Sequence, residues 1–254
     1  DADGMAEAVC AICGGTGWQI LDKGGMSAAR RCTCALERRA ETLWARSRIP
    51  VNYREDRFEN FGNRGSVELG MVQGQLLRYC QEFPKVEPPG LLFCGDPGTG
   101  KTHLAVSVLQ RLIEHGFEGV FVDYQNLLER IRASYDPMSG ESPRAAYEEA
   151  MEAEVLLLDD LGAHRVTDWV EDTVTSIITY RCNQKKPIIA TTNLPDPDMG
   201  GALIERLPDG SPARFDVKKT LAESIGMRAR SRLFEMCRII KMPRVGDYRV
   251  ATRR

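Results

Sequence analysis

No stretch of this 254-residue chain is apolar for anything near the roughly 18 residues that cross a bilayer. The longest apolar runs, around Leu156 and Ile188, are strand-sized, so no membrane partner is expected. A basic-then-apolar leader is missing too. Residues 1–9 are acidic and small, which excludes a secretory signal and makes a cytoplasmic location the expectation. There is no internal repeat and no low-complexity tract. Net charge is almost absent at −2, while 43% hydrophobic and 28% charged residues exclude wholesale disorder. The length fits one large domain or one domain with a small appendage.

The small net charge hides an uneven distribution. Residues 61–213 carry −10 and residues 214–254 carry +8, with the first 60 balanced. A basic block on an acidic body suits either a phosphate-facing surface or a plain solvated helix. Eight cysteines fall into a cluster of four (Cys10, Cys13, Cys32, Cys34) and four singletons. Without a secretory leader, the cluster reads as a metal site and the singletons as small buried residues. Cys10 and Cys13 form C-x2-C, and after 18 intervening residues Cys32 and Cys34 form C-x-C. Four thiolates suit a tetrahedral structural Zn²⁺, because a segment this short cannot fold on a core of its own. The alternatives are an iron–sulfur cluster and free thiols. Trp18 is expected to be the core of the hairpin between the two cysteine pairs, with a partner contact as the second reading.

Three segments follow: residues 1–49 as a zinc-binding, partner-docking module, 50–83 as a connector and helix, and 84–254 as the main domain. Beyond Gly90, apolar runs at Leu91–Cys94, Gly119–Asp123, Val155–Leu158 and Ile188–Thr191 alternate with helical patterns. That alternation predicts an α/β fold, a parallel sheet covered by helices. A loop over 195–212, a single helix over 217–235 and a last strand from Cys237 to Met242 complete the expectation.

The strongest motif is Gly95-Asp96-Pro97-Gly98-Thr99-Gly100-Lys101-Thr102, lying between a strand and a helix. Its glycines free backbone N–H groups to wrap a phosphate chain. Lys101 can reach the β- and γ-phosphates, and the Thr102 hydroxyl can ligate Mg²⁺. An apolar strand then ends in Asp159-Asp160, 58 residues after Lys101. Asp159 can hold the Mg²⁺ shell, and Asp160 can orient or deprotonate the attacking water. Asn193, ending the next strand, can hydrogen-bond the γ-phosphate or that water. Arg228 and Arg232, four apart, share one helical face and suit the charge of a phosphate.

This set resembles the AAA+ ATPases, and more narrowly the DnaC/DnaI-type loaders of the bacterial replicative helicase with their IstB-type transposition relatives. Gly226-Met227-Arg228, Arg232, Tyr248-Arg249, the Cys32-Thr33-Cys34 head, Ile49-Pro50 and Phe58-x-x-Phe61 carry the likeness over nearly the whole chain. The resemblance implies an AAA+ P-loop fold, with ATP and Mg²⁺ as cofactors; as a departure from the family, the few residues after the last strand lead to the expectation of no full lid. It makes Arg232 an arginine finger acting on a neighbouring subunit, and Arg228 and Arg249 secondary nucleotide sensors. It also implies docking of the head on the replicative DNA helicase and self-association in the ATP form. A single-stranded-DNA channel along residues 125–152 is implied as well, where Arg130, Arg132 and Tyr135 would serve; a plain surface helix and loop is the equal alternative for that stretch. An aspartate at position 160, where most AAA+ enzymes carry glutamate, argues against fast unassisted hydrolysis, and the expected lack of a full lid fits a switch rather than a processive motor. The expected function is an ATP-dependent loader in replication initiation. Its alternatives are an IstB-type transposition helper, a P-loop small-molecule kinase, or a nucleotide-gated module with negligible turnover.

Overall fold

The computed structural model describes residues 10–23, 26–62, 65–133, 143–163, 167–199, 204–206, 212–217 and 219–244. Tyr135, Tyr248 and Arg249 lie outside them.

The chain opens with an antiparallel hairpin, β1 (Trp18–Lys23) and β2 (Met26–Arg31), followed directly by helix α1 (Thr33–Arg46). Two short 3-10 turns, Val51–Tyr53 and Phe58–Asn60, lead to α2 (Val67–Glu82), whose first turn is capped by the Ser66 hydroxyl. The main domain then runs β3 (Gly90–Cys94), α3 (Lys101–Glu114), β4 (Gly119–Asp123), α4 (Tyr124–Ala133), α5 (Pro143–Glu152) and β5 (Val155–Asp159). It continues through α6 (Asp168–Asn183), β6 (Ile188–Thr192), a hairpin of β7 (Ile204–Arg206) and β8 (Pro212–Val217), α7 (Leu221–Ile225), α8 (Met227–Met236) and β9 (Cys237–Lys241).

Five strands form one parallel sheet in the order β4-β5-β6-β3-β9. Because side chains alternate across a strand, each strand feeds two cores. Leu92, Val120, Leu156, Leu158 and Ile188 pack under α4, α6 and α8. Leu91, Phe93, Phe121, Leu157 and Ile189 pack under α3. Leu43, Ile49, Phe58, Phe61, Leu69 and Leu76 join this second core, so the connector is packed against the sheet layer that carries the phosphate loop.

Three sequence expectations need correction. Trp18 is 51% exposed, with the Arg31 guanidinium 5.4 Å from its ring centre. Among the described residues no second layer covers the two-stranded hairpin to bury a tryptophan against, and it is Cys32 that is fully buried there. The single helix expected over 217–235 is instead the end of β8, then α7 and α8, separated by Gly226. Gly226 adopts φ 85° and ψ 150°, and a Cβ there would lie 2.3 Å from Glu171 Oε1, so the break is built into the backbone. Within the expected loop 195–212, Ile204–Arg206 is a strand paired with β8.

Candidate nucleotide site and cysteine cluster

The phosphate loop leaves the end of β3 and turns straight into α3. Gly95, Gly98 and Gly100 all hold positive φ, which lets the backbone curl around a central point. At Gly100, φ is 92° and a Cβ would meet Phe61 Cε2 at 2.6 Å, so glycine is required on steric grounds as well. Lys101 Nζ donates to the carbonyls of Gly95 and Asp96 at 2.9 and 2.8 Å, which places the ammonium over the loop.

A chain of hydrogen bonds joins the loop to the two neighbouring strand ends. Thr102 Oγ1 donates to Asp159 Oδ1 at 3.0 Å, and Thr191 Oγ1 donates to the same oxygen at 2.6 Å. The Asp160 amide donates to Thr191 Oγ1 at 2.9 Å, and Asn193 Nδ2 donates to Asp160 Oδ1 at 2.7 Å. Asp160 itself sits at φ 56°, a left-handed conformation that an aspartate tolerates and that turns its carboxylate into the cavity. Burial raises the Asp159 carboxyl above the usual carboxylate range, against the pull of the Thr191 and Thr102 hydroxyls. A carboxylate and a hydroxyl converging in a desolvated corner fit a divalent cation, which would supply the charge that burial denies Asp159.

Lys101, Thr102, Asp159, Asp160 and Asn193 therefore line one cavity of about 580 Å³, with Pro97, Gly98 and Gly100. Its far wall went unread in the sequence: Asn52, Tyr53, Asp56 and His103. His103 Nε2 lies 2.9 Å from the Arg57 carbonyl, which can only accept, so that nitrogen carries the proton. Its Nδ1 is 3.4 Å from Asp56 Oδ1. His103 directly follows Thr102, so its place in the first turn of α3 was the available signal.

Arg228 and Arg232 do not line this cavity. They lie together in an open groove with Met151, Thr179 and Tyr180, and Arg232 pairs with Glu235 at 2.5 Å. The structure thus brings Arg228 to Arg232 rather than to the phosphate loop of its own chain. Arg130 is paired with Glu149 of α5 at 3.0 Å, and Arg132 lies 5.1 Å from the Trp169 ring centre.

In the head, the four sulfurs of Cys10, Cys13, Cys32 and Cys34 all lie within 4.8 Å of one another. Two of the sulfur pairs are 3.4 Å (Cys13–Cys34) and 3.9 Å (Cys10–Cys32) apart. A tetrahedral Zn²⁺ with bonds of about 2.3 Å separates its sulfurs by about 3.8 Å, so the four positions fit that ion. The Gly17 amide and Gln19 Nε2 point N–H groups at Cys13 and Cys32, the kind of outer contact that orients thiolates. Burial opposes ionisation of Cys32, yet the Cys34 amide and Gln19 bring it down to about 6. Its neighbour Cys34 is pushed up to about 12 by the Cys13 sulfur and by burial.

Residues 70–207, more than half of the chain, match the family described as IstB-like ATP binding protein. The chain belongs to that family. Its fold is the AAA+ P-loop fold of the DnaC-type loaders. It superposes on a structure described as the DnaC helicase loader with a TM-score of 0.60 and 26% identity, covering 76% of this chain and 100% of that one. Among relatives, it is 23% identical over 182 residues to the replicative helicase loader DnaC of Escherichia coli (strain K12), covering 70% of this chain and 73% of the relative. It is 25% identical over 176 residues to the uncharacterised protein YqaM of Bacillus subtilis (strain 168). That match covers 65% of this chain and only 55% of YqaM's length. Among the described residues, no helix is long and apolar enough to cross a membrane.

Proposed function

We propose that this family member is an ATP-switched loader that binds a replicative DNA helicase through its cysteine head and grips single-stranded DNA. In this reading it self-associates when ATP is bound and hydrolyses ATP during replication initiation. The observation that carries it is the division of the nucleotide chemistry. Lys101, Thr102, Asp159, Asp160 and Asn193 converge on one cavity, whereas Arg228 and Arg232 face outward in a separate groove. Among the described residues no arginine lines the cavity, although Arg244 stands at its edge, 3.8 Å from Asp96 of the phosphate loop; a chain that presents its paired arginines elsewhere suits a site completed by a neighbour.

The residue roles follow from the geometry. The loop amides and Lys101 bind the phosphates, and Thr102 with Asp159 would hold Mg²⁺, which supplies positive charge against the phosphate oxygens. Asp160, fixed by Asn193, orients or deprotonates the attacking water. Arg232, with Arg228 beside it, meets charge developing on the neighbour's γ-phosphate. Arg249 keeps its place as a secondary sensor in this reading, by resemblance. Zinc would hold the cysteine hairpin together in place of apolar packing, leaving Ile12, Trp18 and Ile20, all more than half exposed, to meet the helicase. The connector 50–83 and the domain 84–254 form the ATP-driven part. The α4–α5 stretch supplies Arg132, Arg130 and Tyr135 toward single-stranded DNA.

The matching family, described as IstB-like ATP binding protein, leaves one competing role open, an IstB-type transposition helper. Helicase copurification decides between them. A complex with the replicative helicase that survives in the full chain and is lost on removing residues 1–49 supports the loader. Equal capture of helicase without the head contradicts the docking role, and no capture by the full chain contradicts the loader. Hydrolysis that does not rise with single-stranded DNA contradicts the DNA-gripping part.

A further inference from the structure

Helix α8 carries three arginines on two faces. Arg228 and Arg232, four residues apart, face the outer groove. Arg230 lies two residues from each, about 200° around the helix, and points inward. Its Nε and Nη2 donate to the two carboxylate oxygens of Asp196 at 2.6 and 2.5 Å, and Nη2 also reaches Asp198 Oδ2 at 2.5 Å. Phe234 closes the other side, its ring centre 4.2 Å from the guanidinium carbon. The Asp196 side chain is fully buried and that of Arg230 is 14% exposed.

Packing alone does not call for this pair. Ala229, Leu233 and Met236 already bury the inner face of α8, and an apolar residue at 230 could join them at no desolvation cost. What a two-pronged arginine–carboxylate pair adds is orientation, because both prongs are satisfied at only one rotation of the helix. Asp196 is also well placed to transmit that orientation. It stands three residues beyond Asn193, and it ties down its own loop by accepting from the amides of Asp198 (3.0 Å) and Met199 (3.1 Å). One residue back, the Pro195 carbonyl accepts a hydrogen bond from the Leu221 amide at 3.0 Å, which fastens the start of α7 to the same loop.

We infer that Arg230 is a positioning residue whose pairing with Asp196 sets the rotation of α8, and with it the reach of Arg228 and Arg232, relative to Asn193 in the same chain's nucleotide site. One chain's pocket and the arginines it offers to its neighbour are thereby held in fixed register. The inference rests on the shared-site reading proposed above. A displacement of about 1 Å at a reacting centre can cost about a hundredfold in rate, so a loosened α8 would act on hydrolysis rather than on binding.

The test uses two full-length chains. A donor, Lys101→Ala, carries native arginines but a dead phosphate loop. An acceptor, Arg228→Ala with Arg232→Ala, keeps an intact loop but offers no outward arginine. Adding Arg230→Gln to the donor should cut the activity of the mixture about ten- to a hundredfold, with Arg230→Lys in between because it keeps the charge and loses the fork. In the otherwise native chain, Arg230→Gln should lower kcat by a similar factor and leave ATP affinity within about twofold. If Arg230→Gln melts early, Asp196→Asn, which keeps the shape and loses the charge, should show the same split. Equal activation by the parent donor and the Arg230→Gln donor overturns the inference while leaving the shared site standing. Failure of the parent donor itself overturns both.

Discussion

Asp159 is 8% exposed and receives hydroxyl hydrogen bonds from Thr102 and Thr191 on one oxygen. Burial raises its pKa, so the folded chain takes up a proton at this site more readily than the unfolded chain does. The sign follows by linkage. In the nucleotide-free protein this group opposes folding at neutral pH, and that penalty fades as pH falls through the raised value. Mg²⁺ requires the carboxylate, so Mg²⁺-dependent nucleotide affinity should weaken as pH falls over the same range. Asp159→Asn should abolish that Mg²⁺ dependence at every pH and leave the nucleotide-free melting temperature unchanged or higher. A titration of affinity against pH, with and without Mg²⁺, checks both. Lys101 makes a different case: Lys101→Ala should fail at ATP binding itself, seen as loss of labelled-nucleotide binding with the fold intact.

Among the elements, α6 depends on one residue more than its apolar stripe suggests. Arg181 is completely buried and donates to the carbonyls of Ala150, Met151, Ala153 and Pro187 at 2.7–3.1 Å. It therefore closes the end of α5 and holds the entries to β5 and β6. Burial lowers its pKa to about 9, which still leaves it charged at neutral pH. Arg181→Met would strip four carbonyls of this donor, those of Ala150 and Pro187 in buried surroundings and those of Met151 and Ala153 in part-buried ones, at a cost of about 3 kcal/mol or more. For a chain of this size that is a fall in melting temperature on the order of 10 °C, measurable by thermal denaturation. The head should behave as a separate element. Cys13→Ser should reduce bound zinc from about one per chain to near zero and weaken helicase capture, with ATP binding retained. Metal analysis of the purified variant checks it, and full zinc occupancy would contradict the four-cysteine site.

At the scale of the molecule, the sheet was legible because its strands are continuous apolar runs ended by Gly95, Asp159 and Asn193, and parallel buried strands leave that trace. The cysteine cluster was legible from spacing alone. Trp18 was not, because a tryptophan between cysteines reads as core unless one knows that, among the described residues, no second layer covers the hairpin. The far wall of the cavity escaped for a related reason. Asn52, Tyr53 and Asp56 reach the phosphate loop only through the packing of the connector on α3, a contact between distant parts of the chain with no local periodicity. The outward direction of Arg228 and Arg232 likewise depends on the turn at Gly226 and on Arg230, which fix how α8 sits. The account turns on those two arginines serving a neighbour's site. The most direct measurement mixes Lys101→Ala chains with Arg228→Ala, Arg232→Ala chains, each inactive alone, and follows ATP hydrolysis with increasing total protein. Recovered activity that climbs with concentration is the predicted result; a mixture that stays inactive although mixed assemblies form would contradict it.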